Sequence, residues 1–134
     1  MFIRRSITDV LMRRAKNSRC LLLTGPRQVG KSTLLKHNYP GVKYYTFDDQ
    51  VLLASATEDP KLFLKNIPKP SILDEVQYAK DLFPYIKIEC DKEERYENYY
   101  LTGSQQMKLM AKAKESLAGR VSILELQGLS MREI

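Results

Sequence analysis

The apolar positions of the sequence fall into short runs separated by polar, glycine-containing segments. Residues 19–24 (RCLLLT) have a continuous apolar centre, which is typical of a strand buried on both faces of a parallel sheet. Residues 3–16 instead repeat their apolar positions at helical spacing, with arginines between them. This spacing predicts an amphipathic N-terminal helix whose arginines face outward.

Four further strands are predicted, at residues 42–47, 70–75, 98–104 and 121–126. The first of them (VKYYTF) is rich in β-branched and aromatic residues. Helices are predicted between the strands, at residues 31–38, 50–66, 81–95 and 105–118. Asp59-Pro60 marks a new helical turn inside the second of these helices, and Asp81 is the expected cap of the third. Alternating strands and helices are typical of an α/β layer fold with a mainly parallel sheet.

The segment between the first strand and the next helix carries a phosphate-binding pattern. GPRQVGKS (25–32) satisfies G-x-x-x-x-G-K-[ST], in which the glycines let consecutive backbone N–H groups point at phosphate oxygens. The lysine of this pattern reaches the β- and γ-phosphates, and the hydroxyl after it can bind Mg²⁺. Arg27 is expected to face solvent or a neighbouring subunit of a homo-oligomer. The predicted nucleotide-binding residues are Gly25, Pro26, Arg27, Gln28, Val29, Gly30, Lys31, Ser32 and Thr33.

Two carboxylates end the third predicted strand, in SILDE (71–75). A strand that ends in an aspartate beside a phosphate loop supplies a carboxylate for Mg²⁺ and its waters, so we expect Asp74 to bind the metal together with Ser32. The adjacent Glu75 is then placed to orient and deprotonate an attacking water. The loop and the acidic pair together predict a Mg²⁺-nucleotide site that could hydrolyse the γ-phosphate, with Lys31 stabilising charge on the phosphates.

Three more residues are candidates for the catalytic site. Thr102 and Ser104 end the fourth predicted strand (YYLTGS), which we expect between the loop strand and the SILDE strand, so that either could contact the γ-phosphate or the water. Arg120 directly precedes the fifth strand, and a positive group there has two possible roles. It can neutralise charge in the transition state, as an arginine finger does, or it can cap the C-terminus of the preceding helix.

Composition and charge narrow the class of protein. The chain has 134 residues, of which 43% are hydrophobic and 28% charged, as in one ordinary globular domain. Residues 1–19 carry a net charge of +5 out of a total of +6, so the N-terminal helix has either a DNA-binding surface or simply a solvated basic face. The sequence has no apolar run of membrane-spanning length, no secretory signal and only two cysteines. We therefore expect a cytoplasmic protein without membrane contact.

Six segments together resemble the N-terminal domain of an AAA-superfamily ATPase family of bacteria and archaea: TGPRQVGKSTLL, YYTFDD, SILDEVQ, YYLTGSQQ, SLAGRV and LELQGLSMREI. In that family a C-terminal domain of unknown function follows. The resemblance implies a P-loop NTPase three-layer α/β sandwich with a mainly parallel five-stranded sheet in the order 5-1-4-3-2, and ATP with Mg²⁺ as ligands. It implies a Walker A motif at Gly25–Ser32, a Walker B motif at Asp74–Glu75 and a sensor region at Thr102–Ser104. It also implies that residues 1–134 are one ATPase domain of a longer chain, in agreement with the closing MREI, which indicates the first turn of another helix.

Two other functions are compatible with these motifs. DEVQ and LTGS resemble helicase motifs, which makes a fragment of a helicase motor domain the second enzyme hypothesis. A non-enzymatic alternative is a nucleotide-gated interaction or DNA-binding module with little turnover, which would use the same binding residues. A GTPase is disfavoured because the sequence has no Asn-Lys-x-Asp element for reading guanine.

Overall fold

The structure of the protein, a computed structural model, describes residues 2–26, 30–92, 95–104 and 106–126, with only the backbone of residues 2–8. Within these ranges there are six α-helices: Phe2–Lys16 (α1), Lys31–Asn38 (α2), Gln50–Glu58 (α3), Pro60–Lys65 (α4), Phe83–Asp91 (α5) and Met107–Ser116 (α6). The same ranges contain five strands: Cys20–Thr24 (β1), Lys43–Thr46 (β2), Ser71–Asp74 (β3), Tyr99–Gly103 (β4) and Val121–Glu125 (β5). A 3₁₀ helix, Val76–Leu82, joins β3 to α5. None of the described helices combines the length and the apolar character needed to cross a membrane.

The five strands form one sheet in the order β2-β3-β4-β1-β5, and every strand is parallel to its neighbours. This confirms the predicted α/β fold of a P-loop NTPase, with the strand order 5-1-4-3-2 counted from the opposite edge. β1 lies between β4 and β5, and all five of its residues are buried. The apolar run of the sequence is therefore a strand inside the sheet, as predicted.

Helices cover both faces of the sheet because β1 is apolar on both faces. Successive side chains of a strand point to opposite sides. Leu21 and Leu23 pack on one side against Leu11 of α1 and Leu35 of α2. On the other side, Leu22 belongs to a larger core with residues of α4, α5 and α6. A strand that contributes to a hydrophobic core on each face of the sheet needs apolar residues at consecutive positions. Residues 20–23 show this pattern.

The carboxyl ends of the strands meet at one edge of the sheet because all the strands are parallel. Thr24 ends β1, Asp74 ends β3, and Gly103 ends β4 between them. Gly25 donates its N–H to the carbonyl oxygen of Gly103 at 3.3 Å. The start of the phosphate loop is thus tied to the end of β4, next to the strand that carries the acidic pair.

The helical segment predicted at residues 50–66 is two helices, with the new start at the predicted position. Asp59 caps α4, since its Oδ1 accepts the N–H of Leu62 at 3.1 Å. Pro60 occupies the first turn of α4. A backbone N–H has no acceptor within the helix at that position, so the missing N–H of proline costs no helical hydrogen bond. Asp49 caps α3 in the same way, by accepting the N–H of Val51 at 3.0 Å.

The helix predicted at residues 81–95 was wrong at both ends. The observed helix α5 begins at Phe83 and ends at Asp91, so Asp81 does not cap it. Residues 76–82 form the 3₁₀ helix instead, in which Ala79 has a non-helical conformation with φ −132° and ψ 44°. The kink at Ala79 lies between the acidic pair and α5, so the chain is not one continuous helix from Val76 to Asp91. The final helical turn predicted for residues 131–134 lies outside the described residues.

Candidate functional site

The phosphate-loop pattern lies between β1 and α2, at the carboxyl edge of the sheet. Gly30 has φ +79° and ψ 36°, a left-handed conformation that favours glycine, and α2 begins at the next residue. Within this pattern Gly25 is buried, Pro26 and Thr33 are exposed, and Ser32 is half-buried. The predicted binding residues Arg27, Gln28 and Val29 lie outside the described residues.

Lys31 is buried within its own loop, with 3% of its surface exposed. Its Nζ donates to the carbonyl oxygens of Gly25 at 2.8 Å and of Pro26 at 3.0 Å. A buried ammonium needs such acceptors, because desolvation without hydrogen bonds is costly. The fold therefore holds the positive charge inside the loop, at the N-terminal end of α2, where an anion is favoured.

Asp74 is the buried carboxylate at the end of β3, and two hydroxyl groups bind it. Thr102 on β4 donates to Oδ1, and Tyr44 on β2 donates to Oδ2. Burial and the neighbouring Asp74 carboxylate both raise the pKa of Tyr44, so this phenol stays protonated as the donor. Lys36 of α2 lies over the Tyr44 ring, with its Nζ 3.7 Å from the ring centroid. The two flanking strands thus orient the carboxylate between them.

Tyr44 is a site residue that the sequence analysis missed. Its hydroxyl reaches Asp74 because β2 and β3 are parallel neighbours with Thr46 opposite Asp74 in the register. Nothing in VKYYTF marks one of its two tyrosines as a partner of a residue 30 positions away. Only the register of the sheet makes that choice.

Glu75 follows β3 in a left-handed backbone conformation, with φ 61° and ψ 50°. This conformation is uncommon for a residue with a side chain, and it persists where the surrounding structure holds it. The N–H of Glu75 donates to the Thr102 hydroxyl oxygen at 3.0 Å, and its side chain accepts at Oε1 from Gln77 Nε2 at 2.7 Å. Both the backbone and the carboxylate of Glu75 are therefore held by neighbours.

Thr102 lies near the end of β4, between β3 and β1, as the sequence analysis expected. It is fully buried, and its hydroxyl donates to Asp74 while accepting the N–H of Glu75. A hydroxyl has one proton to donate, and here Asp74 receives it. Thr102 therefore holds the acidic pair. Its contact with the γ-phosphate or the attacking water stays a prediction.

Ser104 lies one residue beyond β4 and contacts the same segment through its backbone. Its N–H donates to Gln77 Oε1 at 3.2 Å, while its buried Oγ has no hydrogen-bond partner among the described residues. Gly103 allows this close approach. A Cβ on Gly103 would lie 2.5 Å from Leu109 Cδ2 and 3.4 Å from Gln77 Oε1.

Arg120 lies at the opposite edge of the sheet from the phosphate loop. Its carbonyl oxygen accepts the N–H of Cys20 at 2.9 Å, at the start of β1, and a strand of five residues spans about 17 Å. The guanidinium binds both oxygens of Asp91, each at 2.9 Å, and donates to the carbonyl of Ala118 at 2.7 Å. This ion pair lowers the pKa of Asp91 and raises that of Arg120. Within its own chain Arg120 therefore makes a structural ion pair with Asp91, and the carbonyl that it binds lies two residues beyond α6.

The donors at the carboxyl edge have the chemistry of a magnesium site. A carboxylate (Asp74) and an alcohol (Ser32) are hard oxygen donors, and Mg²⁺ bound with nucleotide phosphates commonly uses only one or two protein ligands. The described residues hold no group of three or more His, Cys, Asp or Glu side chains that could bind a metal by themselves. A metal at this edge would therefore depend on the phosphates for part of its coordination.

The fold and the site together define the class of protein. The phosphate-loop pattern lies between a central strand of a parallel sheet and a helix, and an aspartate–glutamate pair ends a strand two positions along the sheet. This is the architecture of P-loop NTPases. Residues 17–134 match a family model described as "AAA domain". The chain belongs to this family, and it is a nucleotide-binding, ATPase-type domain of the AAA superfamily.

Two mycobacterial relatives are each 36% identical to this chain over 136 residues: Uncharacterized protein Rv2008c of Mycobacterium tuberculosis and Uncharacterized protein Mb2031c of Mycobacterium bovis. The similarity covers 100% of this chain and 31% of each relative, so the chain spans about a third of the length of these curated relatives. Among solved structures, it is similar to the crystal structure of a DNA replication initiation factor, with a TM-score of 0.53 and 16% identity. That likeness covers 91% of this chain and 44% of the other, and at this identity it concerns the fold.

Proposed function

We propose that this domain binds ATP with Mg²⁺ and hydrolyses it to ADP and phosphate. The observation that carries the proposal is the shared anchoring of the acidic pair: the hydroxyl of Thr102 binds the Asp74 carboxylate and the Glu75 N–H at once. That anchor is on β4, whose last residue, Gly103, accepts a hydrogen bond from the first residue of the phosphate loop. The groups needed for phosphoryl transfer thus share one edge of one sheet.

Binding begins with the loop and Lys31. The backbone N–H groups of the loop and of the first turn of α2 are donors suited to phosphate oxygens. Lys31 now donates to two loop carbonyls, at 2.8 and 3.0 Å, and a nucleotide would offer it the stronger acceptors of the β- and γ-phosphates. Gly30 allows the close backbone approach because of its left-handed conformation.

Mg²⁺ would be held by the Ser32 hydroxyl and, directly or through water, by Asp74. When bound there, the metal would supply positive charge against the negative charge that develops on the phosphates. Thr102 and Tyr44 orient the Asp74 carboxylate for this task from opposite sides.

Glu75 is the proposed general base for hydrolysis. It accepts a proton from a water whose oxygen forms a bond to the γ-phosphorus, while the bond from that phosphorus to the oxygen bridging the β- and γ-phosphates breaks. ADP leaves with the bond's electron pair, and Lys31 stabilises the negative charge in the transition state. Burial of Glu75, which is 8% exposed, keeps bulk water away from the base.

The experiment that tests this function measures ATP turnover and ATP binding by the full-length protein. Lys31→Ala should abolish ATP binding, because the phosphates lose their buried cation. Glu75→Gln should keep binding while hydrolysis falls by roughly 10²–10⁴, the usual contribution of a general base. Matched controls are Lys61→Ala and Glu58→Gln, two exposed residues outside the site that should leave both measurements unchanged. Unchanged turnover in Glu75→Gln would remove the base from this mechanism.

Two partners belong to the same proposal. The chain spans 31% of the length of its relatives. We therefore propose that a C-terminal region of the same protein is a partner of this domain and responds to whether ATP or ADP is bound. Arg13 and Lys16 are exposed at the end of α1 and could contact a DNA backbone, so turnover should be measured with and without DNA. Stimulated turnover, or DNA binding that persists at about 200 mM salt, would support a functional DNA contact. Release of the DNA at that salt concentration would instead indicate only nonspecific attraction to a small basic patch.

A further inference from the structure

We propose that Gln77 is a positioning residue that holds the Glu75 carboxylate and links it to the end of β4. This inference rests on the proposed function, because it assigns a role in the hydrolysis attributed to Glu75. Gln77 Nε2 donates to Glu75 Oε1 at 2.7 Å, and Gln77 Oε1 accepts the N–H of Ser104 at 3.2 Å. One side-chain amide therefore bridges the proposed base and the segment after β4.

The chemistry of the two contacts determines the orientation of this amide. The carboxylate oxygen of Glu75 can only accept, and the backbone N–H of Ser104 can only donate. Rotating the amide by half a turn would place its oxygen against the carboxylate and its NH₂ against the N–H. Both contacts would then be repulsive, so the orientation with two hydrogen bonds is the favoured one.

The bridge ties the carboxylate to the strand that contacts the phosphate loop. Thr102, on β4, already fixes the Glu75 backbone through a 3.0 Å hydrogen bond. Gln77 adds the second anchor, at Ser104, just beyond Gly103, which accepts the N–H of Gly25. Thr102, Gly103 and Ser104 are consecutive residues at and just after the end of β4. A displacement of this segment would therefore move both anchors of Glu75 together with Gly25 at the start of the phosphate loop.

Gln77→Met tests the bridge with a side chain of similar length that can neither donate nor accept these bonds. Gln77 is half-buried and lines a cavity of about 230 Å³, so the substitution has room and should fold. ATP binding should stay unchanged while kcat falls by about tenfold to a hundredfold, the equivalent of losing a hydrogen bond to a charged group. Gln77→Glu should reduce kcat further, because a second carboxylate would face Glu75. Gln50→Met, an exposed glutamine at the start of α3, is the matched control and should match the wild-type protein.

A double-mutant cycle separates positioning from a general effect on the fold. In a Glu75→Gln background, Gln77→Met should cause little further loss of the residual single-turnover rate, because the carboxylate that it positions is already absent. An equal loss in both backgrounds would overturn this inference, as would full kcat in Gln77→Met. If the unmodified full-length protein shows no ATP turnover, the proposed function fails and this inference fails with it. An active protein that tolerates Gln77→Met overturns the inference alone.

Discussion

Thr102 on β4 donates its hydroxyl proton to the carboxylate of Asp74 on β3, across two neighbouring parallel strands. The same oxygen accepts the backbone N–H of Glu75 at 3.0 Å. One buried side chain thereby binds two adjacent residues for which we propose different tasks, metal binding for Asp74 and base catalysis for Glu75. This hydroxyl is the one anchor that both residues share, while Tyr44 also binds Asp74 and Gln77 also binds Glu75.

Replacing Thr102 by Val should therefore reduce both stability and turnover. Valine has nearly the same shape, but it leaves the Glu75 N–H without its acceptor and Asp74 Oδ1 without its donor. Such a change at a buried site costs about 1–3 kcal/mol of the free energy of unfolding. Urea unfolding and ATP turnover measure the two effects. Thr102→Ser, which keeps the hydroxyl, should retain most of both, and a Val variant as stable and active as the unmodified protein would contradict the assignment.

Gly103→Ala should strain the junction between β4, the 3₁₀ helix and α6. The added Cβ would lie 2.5 Å from Leu109 Cδ2 and 3.4 Å from Gln77 Oε1. Overpacking of this kind costs about 1–3 kcal/mol and should lower the unfolding midpoint. Shortening the neighbour in Gly103→Ala/Leu109→Val should restore part of that loss if the clash is its cause. Equal stabilities for Gly103→Ala and the unmodified protein would contradict this prediction, because they would show that Leu109 can move away from the added Cβ without loss of stability.

Arg120→Ala should leave ATP turnover nearly unchanged. Arg120 lies at the amino edge of the sheet and binds Asp91 there, about one strand length from the loop of its own chain. Loss of an arginine finger would instead reduce turnover by about 10³–10⁵. Rates measured over a range of protein concentrations give the answer. A large loss that appears only when chains associate would show that Arg120 serves the site of a neighbouring subunit in a homo-oligomer.

Alkaline pH should destabilise the fold from about pH 10 upward. Burial raises the pKa of Tyr39 from 10.0 to about 12, and burial likewise raises those of Tyr44, Tyr99 and Tyr100. Below pH 10 these phenols are protonated in both the folded and the unfolded chain. Above it the unfolded chain releases protons first, so stability falls as the pH rises through the folded pKa values.

Ultraviolet absorbance of phenolate, recorded together with circular dichroism, checks this pH dependence. Ionisation of the buried tyrosines should coincide with loss of structure, and Tyr39→Phe should make stability less dependent on pH in this range. Phenolate formation by all tyrosines near pH 10 in a protein that stays folded would contradict the raised pKa values.

Much of the fold and of the candidate site was predictable from local patterns. The apolar run of β1, the glycine–lysine loop and the acidic pair each lie within a few consecutive residues, so spacing alone located them. The helix cap was misplaced because residues 76–82, Asp81 among them, form a 3₁₀ helix and α5 begins only at Phe83. Thr102 was found as a candidate residue, but its contacts with Glu75 and Asp74 were not foreseen, since these partners are 27 and 28 positions away.

The sequence by itself determined the α/β alternation, the phosphate-loop pattern and the identity of the acidic pair, because each depends on neighbouring residues whose periodicity and chemistry are local. Only the tertiary structure decided which side chains serve that pair. Tyr44 and Thr102 reach Asp74 through the register of parallel strands, and Gln77 reaches Ser104 because β3 and β4 end side by side. These contacts depend on strand pairing, which brings residues far apart in the chain within hydrogen-bonding distance.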